Sequence, residues 1–271
     1  MTVHPRISLH QVAFARDGTP AFAEFCRRNA VPNMTLAPLL MTGLDDLEIV
    51  KAAAAGGGPK TSTVNHPFAI FPNLEADIGQ AATKLLEAIE IASALDAGAI
   101  YLQTGGRGGL NWEQAAARFI ELLAPCKEAA RQKHIELMIE NASSFNIDIH
   151  IAHTLADTIL LAEMAGIGVC IDLHPCWGEA GLAKLFRRAM PVTKLVQVSD
   201  YVMGDRTAPC RAVPGDGAIP LERLITDLLD AGYDGLFDLE LIGPRIEEEG
   251  AAAASARAVQ WLSQLLTRLG A

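Results

Sequence analysis

Short apolar runs rich in β-branched residues recur along the chain, and between them lie longer stretches in which apolar residues return every three or four positions. The runs fall at roughly 6–12, 34–39, 61–65, 99–103, 135–140, 168–172, 194–199 and 236–240. The stretches with helical period fall near 19–30, 44–55, 75–96, 112–133, 154–165, 180–189, 220–231 and 250–269. The runs are nearly continuous in apolar character instead of alternating, which marks strands buried on both faces. Strict alternation of strand and helix requires parallel strands with crossover helices, and eight units is the number that closes a barrel. The predicted fold is α/β, a single (β/α)8 TIM barrel over residues 1–271. An open doubly wound sheet would show fewer strands and, in a dinucleotide enzyme, a GxGxxG turn after the first, which this chain lacks.

Turn chemistry agrees with the alternation. Ala-Gly precedes a strand in LDAGAIYLQ, AEMAGIGVCID and LLDAGYDGLFDLE, where Gly releases a helix C-terminus into the next strand. The runs AAAAGGGPK at 52–60 and GAAAASA at 250–256 sit at helix ends, and the rhythm continues through the first, so it reads as a flexible loop and not a domain linker.

The polar positions inside this pattern are concentrated at strand tips. IELMIEN closes at Glu140 and Asn141, GVCIDLH at Asp172 and His174, KLVQVSD at Gln197 and Asp200, and GLFDLEL at Glu240. A strand buried on both sides has no reason to end in charge unless several tips converge on something polar, most simply a metal ion. In a barrel they do converge, on the face built by the loops that follow the strands. Those loops carry further candidates: His10 and Gln11 after the first strand, Asn65 and His66 after the third, Gln103 with TGGRGGLNW after the fourth, and His174 and Trp177 after the sixth. The longest polar excursion is YVMGDRTAPCRAVPGDGAIP, and connections of that length in a compact domain are usually functional.

Charge narrows the partner. With 22 basic against 32 acidic residues the formal net charge is −10, which argues against a nucleic-acid or anionic-membrane surface and leaves a small molecule. The start MTVHPRISLH lacks the basic and apolar regions of a signal peptide, and no uncharged apolar run is long enough to span a bilayer, so a cytoplasmic protein is expected. Cys26, Cys126, Cys170, Cys176 and Cys210 are odd in number and form no CxxC pair, which fits reduced thiols packed as small hydrophobes.

The block VQVSDYVMGDRTAPCRAVPGDGAIPLERLITDLLDAGYDGLFDLEL, with the carboxylate-tipped strands, resembles the xylose isomerase-like TIM-barrel superfamily of sugar isomerases and epimerases, and the resemblance extends over essentially the whole chain. It implies a divalent metal held by residues at strands five to eight, which here are Glu140, Asp172, Gln197 and Glu240. Most relatives have His where this chain has Gln197. Three carboxylates and a neutral amide oxygen are hard donors, so Mn2+ is the first expectation, Mg2+ or another divalent ion the next, and Zn2+ less suited. The alternative is a barrel that has lost its metal at Gln197.

The resemblance further implies that Glu140 and Glu240 act as acid and base on opposite faces of a chelated hydroxy-ketone, with the ion stabilising the enediolate formed on proton loss. Substrate contacts are implied for His174, Arg211, His10, Gln103, Asp200 and Trp177. For Arg211 the competing expectation is a salt bridge to Asp205 or Asp216. Phe68, Phe71 and Trp177 could wall a pocket or pack the core. GGRGG at 105–109 is not followed by GK[ST] and reads as a rim loop, from which Arg107 could reach an anion. Three functions remain open: a sugar isomerase or epimerase; a lyase or dehydratase using the same carbanion for β-elimination; and a non-catalytic barrel or partner subunit. Self-association is implied as well, since barrels of this family often form dimers or tetramers. Relatives of the endonuclease IV type use a His-rich zinc site and a basic face, and this sequence shows neither.

Overall fold

The alternation in the sequence is reproduced strand for strand in the computed structural model, which describes residues 2–43 and 45–271. Barrel strands form at Ile7–His10 (β1), Asn33–Leu36 (β2), Lys60–Ala69 (β3), Ala99–Gly105 (β4), Glu136–Glu140 (β5), Gly168–Asp172 (β6) and Thr193–Val198 (β7). A short antiparallel pair, Asp200–Tyr201 (β8) and Arg211–Ala212 (β9), precedes the last barrel strand, Leu236–Leu239 (β10). The eight longer strands close into a parallel barrel in the order β1-β10-β7-β6-β5-β4-β3-β2. Helices intervene at Gly18–Arg28 (α1), Asp46–Ala54 (α2), Gln80–Ala94 (α3), Trp112–Gln132 (α4), Leu155–Ala165 (α5), Leu173–Cys176 (α6), Leu182–Ala189 (α7), Leu221–Asp230 (α8), Pro244–Glu249 (α9) and Ala251–Leu269 (α10). By compactness the chain forms two units, 63–194 and the remainder. Among the described residues no helix is long and apolar enough to cross a membrane, and all five cysteines are free thiols.

Register decides which side chains share a face, because partners in a parallel ladder point the same way and neighbours along a strand point oppositely. In the 63–194 unit, Asn65 pairs with Tyr101 and Tyr101 with Met138, Pro67 pairs with Gln103, and Glu140 with Cys170. The period of two then places Gln103, Glu140 and Asp172 on one face, with the wholly buried Leu102, Ile139 and Val169 on the other, under the helices. In the other unit Ser8 pairs with both Asn33 and Asp238, His10 with Thr35, and Asp238 with Gln197. Ser8, His10, Thr35, Gln197, Asp238 and Glu240 therefore share the inward face.

That face is polar and knitted together. The Thr35 hydroxyl donates to Asp238 Oδ1 at 2.8 Å and lies 3.2 Å from the Ser8 hydroxyl. Burial pushes the Asp238 carboxyl above its ordinary range, with the nearby His10 and the Ser8 and Thr35 hydroxyls working in the opposite direction. An interior of this kind is costlier to build than the branched aliphatic layers usual in such barrels.

Boundaries differ from expectation where side chains intervene. The third strand was expected to end at 65 and runs on to Ala69, because β4 continues beside it and Gly105 pairs with Ala69. A Cβ on Gly105 would lie 1.9 Å from the Ala69 carbonyl oxygen, so only glycine permits that closure. The helix expected from 75 begins at Gln80, since the Asp77 carboxylate accepts the amides of Gly79 and Ala81 and turns the chain first. Residue 44, the expected start of the second helix, lies outside the described residues; α2 runs Asp46–Ala54. The short helices α6 and α9 were not predicted.

Two buried histidines make stability depend on pH. Desolvation, assisted by Lys84, pushes His66 down to about 4, and desolvation does the same to His150, also to about 4. Both rings are neutral in the native state, whereas in the unfolded chain they titrate near 6.5. Between these values the unfolded chain binds more protons, so stability is whole above about pH 6.5 and falls as the pH drops toward 4, by on the order of 3 kcal/mol per ring. Urea unfolding at pH 7.5 and at pH 4.5 checks this: the midpoint is expected to drop steeply at the lower pH, and equal midpoints would contradict the buried neutral rings.

Candidate active site

Glu140 is the last residue of β5, and its neighbours hold both its ends. Gln103, level with it on β4, donates from Nε2 to Glu140 Oε2 at 3.0 Å. The Glu140 backbone carbonyl lies 2.7 Å from Nε2 of His150. A carbonyl can only accept, so that nitrogen carries the proton and Nδ1 is the acceptor. Nδ1 receives the Thr104 amide at 3.1 Å and lies 2.7 Å from the Thr104 hydroxyl, which in turn accepts the Ile151 amide at 3.0 Å. His150, wholly buried, thus clamps the ends of β4 and β5 together from the loop that follows β5.

Asp172, at the end of β6, is fixed by its neighbour's side chain. The Asn141 amide donates to the Asp172 carbonyl and accepts the Asp172 amide, both at 2.8 Å. It takes the place of one more peptide unit in the β5–β6 ladder. The Asp172 carboxylate then caps α6, its Oδ1 accepting the His174 amide at 3.0 Å. His174 and Trp177 follow on this turn and its edge, both half-buried.

Glu240 follows β10 directly and faces Arg211. The guanidinium Nη2 lies 2.9 Å from Glu240 Oε2, an ion pair by distance and not an aligned hydrogen bond, and each side chain is only 12% exposed. Arg211 Nη1 donates to the Ser199 hydroxyl at 2.9 Å. Neither competing partner takes Arg211: Asp205 pairs with Arg245 and Asp216 with Arg257. Asp200, one of the expected substrate contacts, has its carboxylate enclosed by backbone: Oδ1 accepts the amides of Tyr201 and Ile219, and Oδ2 those of Gly215 and Gly217, at 2.8–3.0 Å. It organises the loop that carries Arg211. His10 Nδ1 accepts the Val12 amide at 2.9 Å, so in the neutral ring Nε2 bears the hydrogen.

The three carboxylates come together. Glu140, Asp172 and Glu240 are 4%, 1% and 9% exposed, and each offers an oxygen within 4.8 Å of the others'. Three like charges at this spacing and burial repel strongly unless a cation joins them, and three hard oxygens match a divalent ion of the Mg2+ or Mn2+ kind. Gln197, the expected fourth donor, is wholly buried on β7 opposite Asp238 and so faces the same interior. Phe68 packs edge-on against Phe119 in the core, while Phe71 is exposed. In the GGRGG loop the Gly109 amide donates to the Glu75 carboxylate at 2.8 Å, so that amide already serves an anion of this chain.

Ser199, Thr104, His150 and Asp238 were not singled out as functional by sequence, and Asn141 stood out only as a polar strand tip given no role of its own. Asn141 abuts Glu140, and Asp238 shares the face of Glu240 at a spacing of two, so both carried a signal. His150 carried none, because its role depends on a loop folding back.

A family model described as xylose isomerase-like TIM barrel matches residues 23–265. No curated protein matches the chain in sequence. Among solved structures, the IolI protein with a binding zinc atom superposes with a TM-score of 0.80 at 14% identity, covering 97% of this chain and 98% of that one. D-psicose 3-epimerase with D-tagatose from Clostridium cellulolyticum H10 gives 0.75 at 16%, covering 96% and 98%. The probable 3-DHS dehydratase AsbF from Bacillus anthracis gives 0.74 at 14%, covering 95% and 98%. At these identities the likeness is one of fold.

Asn141→Ala removes both hydrogen bonds of the side-chain bridge from the buried backbone of Asp172, whose carbonyl keeps the Cys176 thiol as a donor. A loss of roughly 2–4 kcal/mol in unfolding free energy is expected by chemical denaturation. A change below about 0.5 kcal/mol would show that the bridge is dispensable.

Proposed function

The chain belongs to the xylose isomerase-like TIM barrel family, and on that premise we propose that it is a divalent-metal-dependent isomerase or epimerase acting on a sugar or sugar-like hydroxy-ketone. The observation that carries this reading is the buried grouping of Glu140, Asp172 and Glu240 within 4.8 Å. These three would hold the ion, with Gln197 as a neutral fourth donor from β7. Mn2+ suits the donor set best and Mg2+ next. When bound, the ion would polarise the substrate carbonyl and offset the negative charge that develops as a neighbouring C–H is deprotonated.

The residues divide the remaining work. Glu140 is the last residue of β5 and Glu240 follows β10 directly. One would take the α-proton and the other return a proton to the opposite face, which is what epimerisation needs. Gln103 restrains Glu140 through its 3.0 Å hydrogen bond, leaving the carboxylate oriented for transfer. Arg211, a planar cation with several N–H groups, would receive a substrate oxygen beside Glu240. His174, Trp177 and His10 stand next to ligand-bearing strand ends, where they would contact the substrate's hydroxyls and carbon faces. Asp200 contributes by ordering the Arg211 loop.

A lyase or dehydratase is the second reading. Gln197 in place of the usual His favours it by pointing away from the standard substrate, and β-elimination needs only a leaving group beside the same carbanion. The overall activity separates the two: an isomerase or epimerase incorporates solvent deuterium at carbon into a panel of free ketoses, while a lyase releases water or an aglycone.

Protein purified without chelator is expected to contain close to one divalent ion per chain by elemental analysis, and chelation should abolish exchange. Glu140→Gln and Glu240→Gln, each keeping shape while losing basicity, should each lower deuterium incorporation by at least about 100-fold, the usual worth of a positioned acid or base. Undiminished exchange in Glu240→Gln, with no stoichiometric metal, would refute the reading.

A further inference from the structure

The ion pair between Arg211 and Glu240 places a fixed positive charge inside the acidic site. Both side chains are 12% exposed, and the guanidinium Nη2 stands 2.9 Å from a carboxylate oxygen of a proposed ligand. Arg211 is not a loose side chain that happens to reach this far. Its backbone pairs with Tyr201 across β8 and β9, its amide donates to the Ile242 carbonyl at 3.2 Å, and its Nη1 is anchored on Ser199. The segment before it is seated as closely: a Cβ on Gly243 would come within 2.7 Å of the Pro209 carbonyl oxygen. Four amides on the Asp200 carboxylate hold the rest of the loop.

We propose that Arg211 is an internal counter-cation of the acidic site, which stabilises Glu240 when no ion is bound and competes with a divalent ion for that carboxylate. This rests on the metal-dependent reading above and goes beyond it, since a residue expected to meet the substrate acquires a role in setting metal affinity. Three buried carboxylates without a cation would repel one another, and an anchored guanidinium relieves one of them. The same charge opposes the arrival of a doubly charged ion, and in a site shielded from water that opposition is large. The arrangement keeps the site stable when empty and its ion exchangeable.

The test is titration of chelator-treated protein with MnCl2, by calorimetry or by the electron paramagnetic resonance of free Mn2+. Arg211→Gln is expected to bind Mn2+ at least tenfold more tightly than wild type, to unfold at lower temperature without metal, and to gain more on adding Mn2+. Arg211→Lys, which keeps the charge, should stay within about threefold of wild type. Should Arg211→Gln fail to fold, Ser199→Ala, which frees one end of the guanidinium, is expected to bind Mn2+ a few-fold more tightly. Equal or weaker binding in the folded Gln variant, or in Ser199→Ala when only that variant folds, overturns the proposal while leaving the metal-dependent reading intact. Wild type that binds no Mn2+ at all overturns both.

Discussion

Like charges crowded out of water are the constraint around which this site is arranged. Three carboxylates with oxygens within 4.8 Å of one another, all on buried residues, cannot persist without compensation. Each is met by a different kind of partner: a neutral side-chain amide from Gln103 for Glu140, a helix-capping backbone amide for Asp172, and the Arg211 guanidinium for Glu240. Two of these partners come from elements added to the plain strand-helix alternation. The one-turn α6 exists as the cap on Asp172, and the β8–β9 pair positions the arginine.

Support for the site reaches one layer into the barrel. Asp238 and Ser8, one inward-facing step below Glu240 and His10, form a hydrogen-bonded cluster with Thr35, where an ordinary barrel would stack branched aliphatic side chains. Each hydrogen bond of this cluster fixes a rotamer that packing alone would leave free, while Asp238 Oδ2 is buried without a hydrogen-bond partner. Asn141 does similar work from the strand end, with its side chain standing in for backbone at the point where the ladder would otherwise stop.

The architecture was legible in the sequence because it rests on periodicity, which is local. All eight strands and their helices could be placed from runs such as IELMIE and GVCID, and the three carboxylates announced themselves as charges at the ends of those runs. What stayed hidden depends on which atoms face each other after the chain returns. Asp200, three residues beyond Gln197, looked like a group for the substrate, yet four amides from 201–219 enclose it. Arg211 had two acidic residues nearer in sequence and pairs with one 29 positions away. The extension of β3 to Ala69 turned on a glycine at 105 that tolerates contact with the neighbouring strand's backbone, a requirement no pattern of hydrophobicity encodes.

The knot of amides on Asp200 has a bearing on kinetics. Loops that order only when a ligand arrives slow association and take the ordering entropy out of affinity. Here the segment from Tyr201 to Ile219 is gathered onto one carboxylate as the chain folds, so that entropy is spent before any encounter. If a ligand binds beside Arg211 as proposed, it would find the two ends of this segment already fixed on Asp200 and would not have to order them.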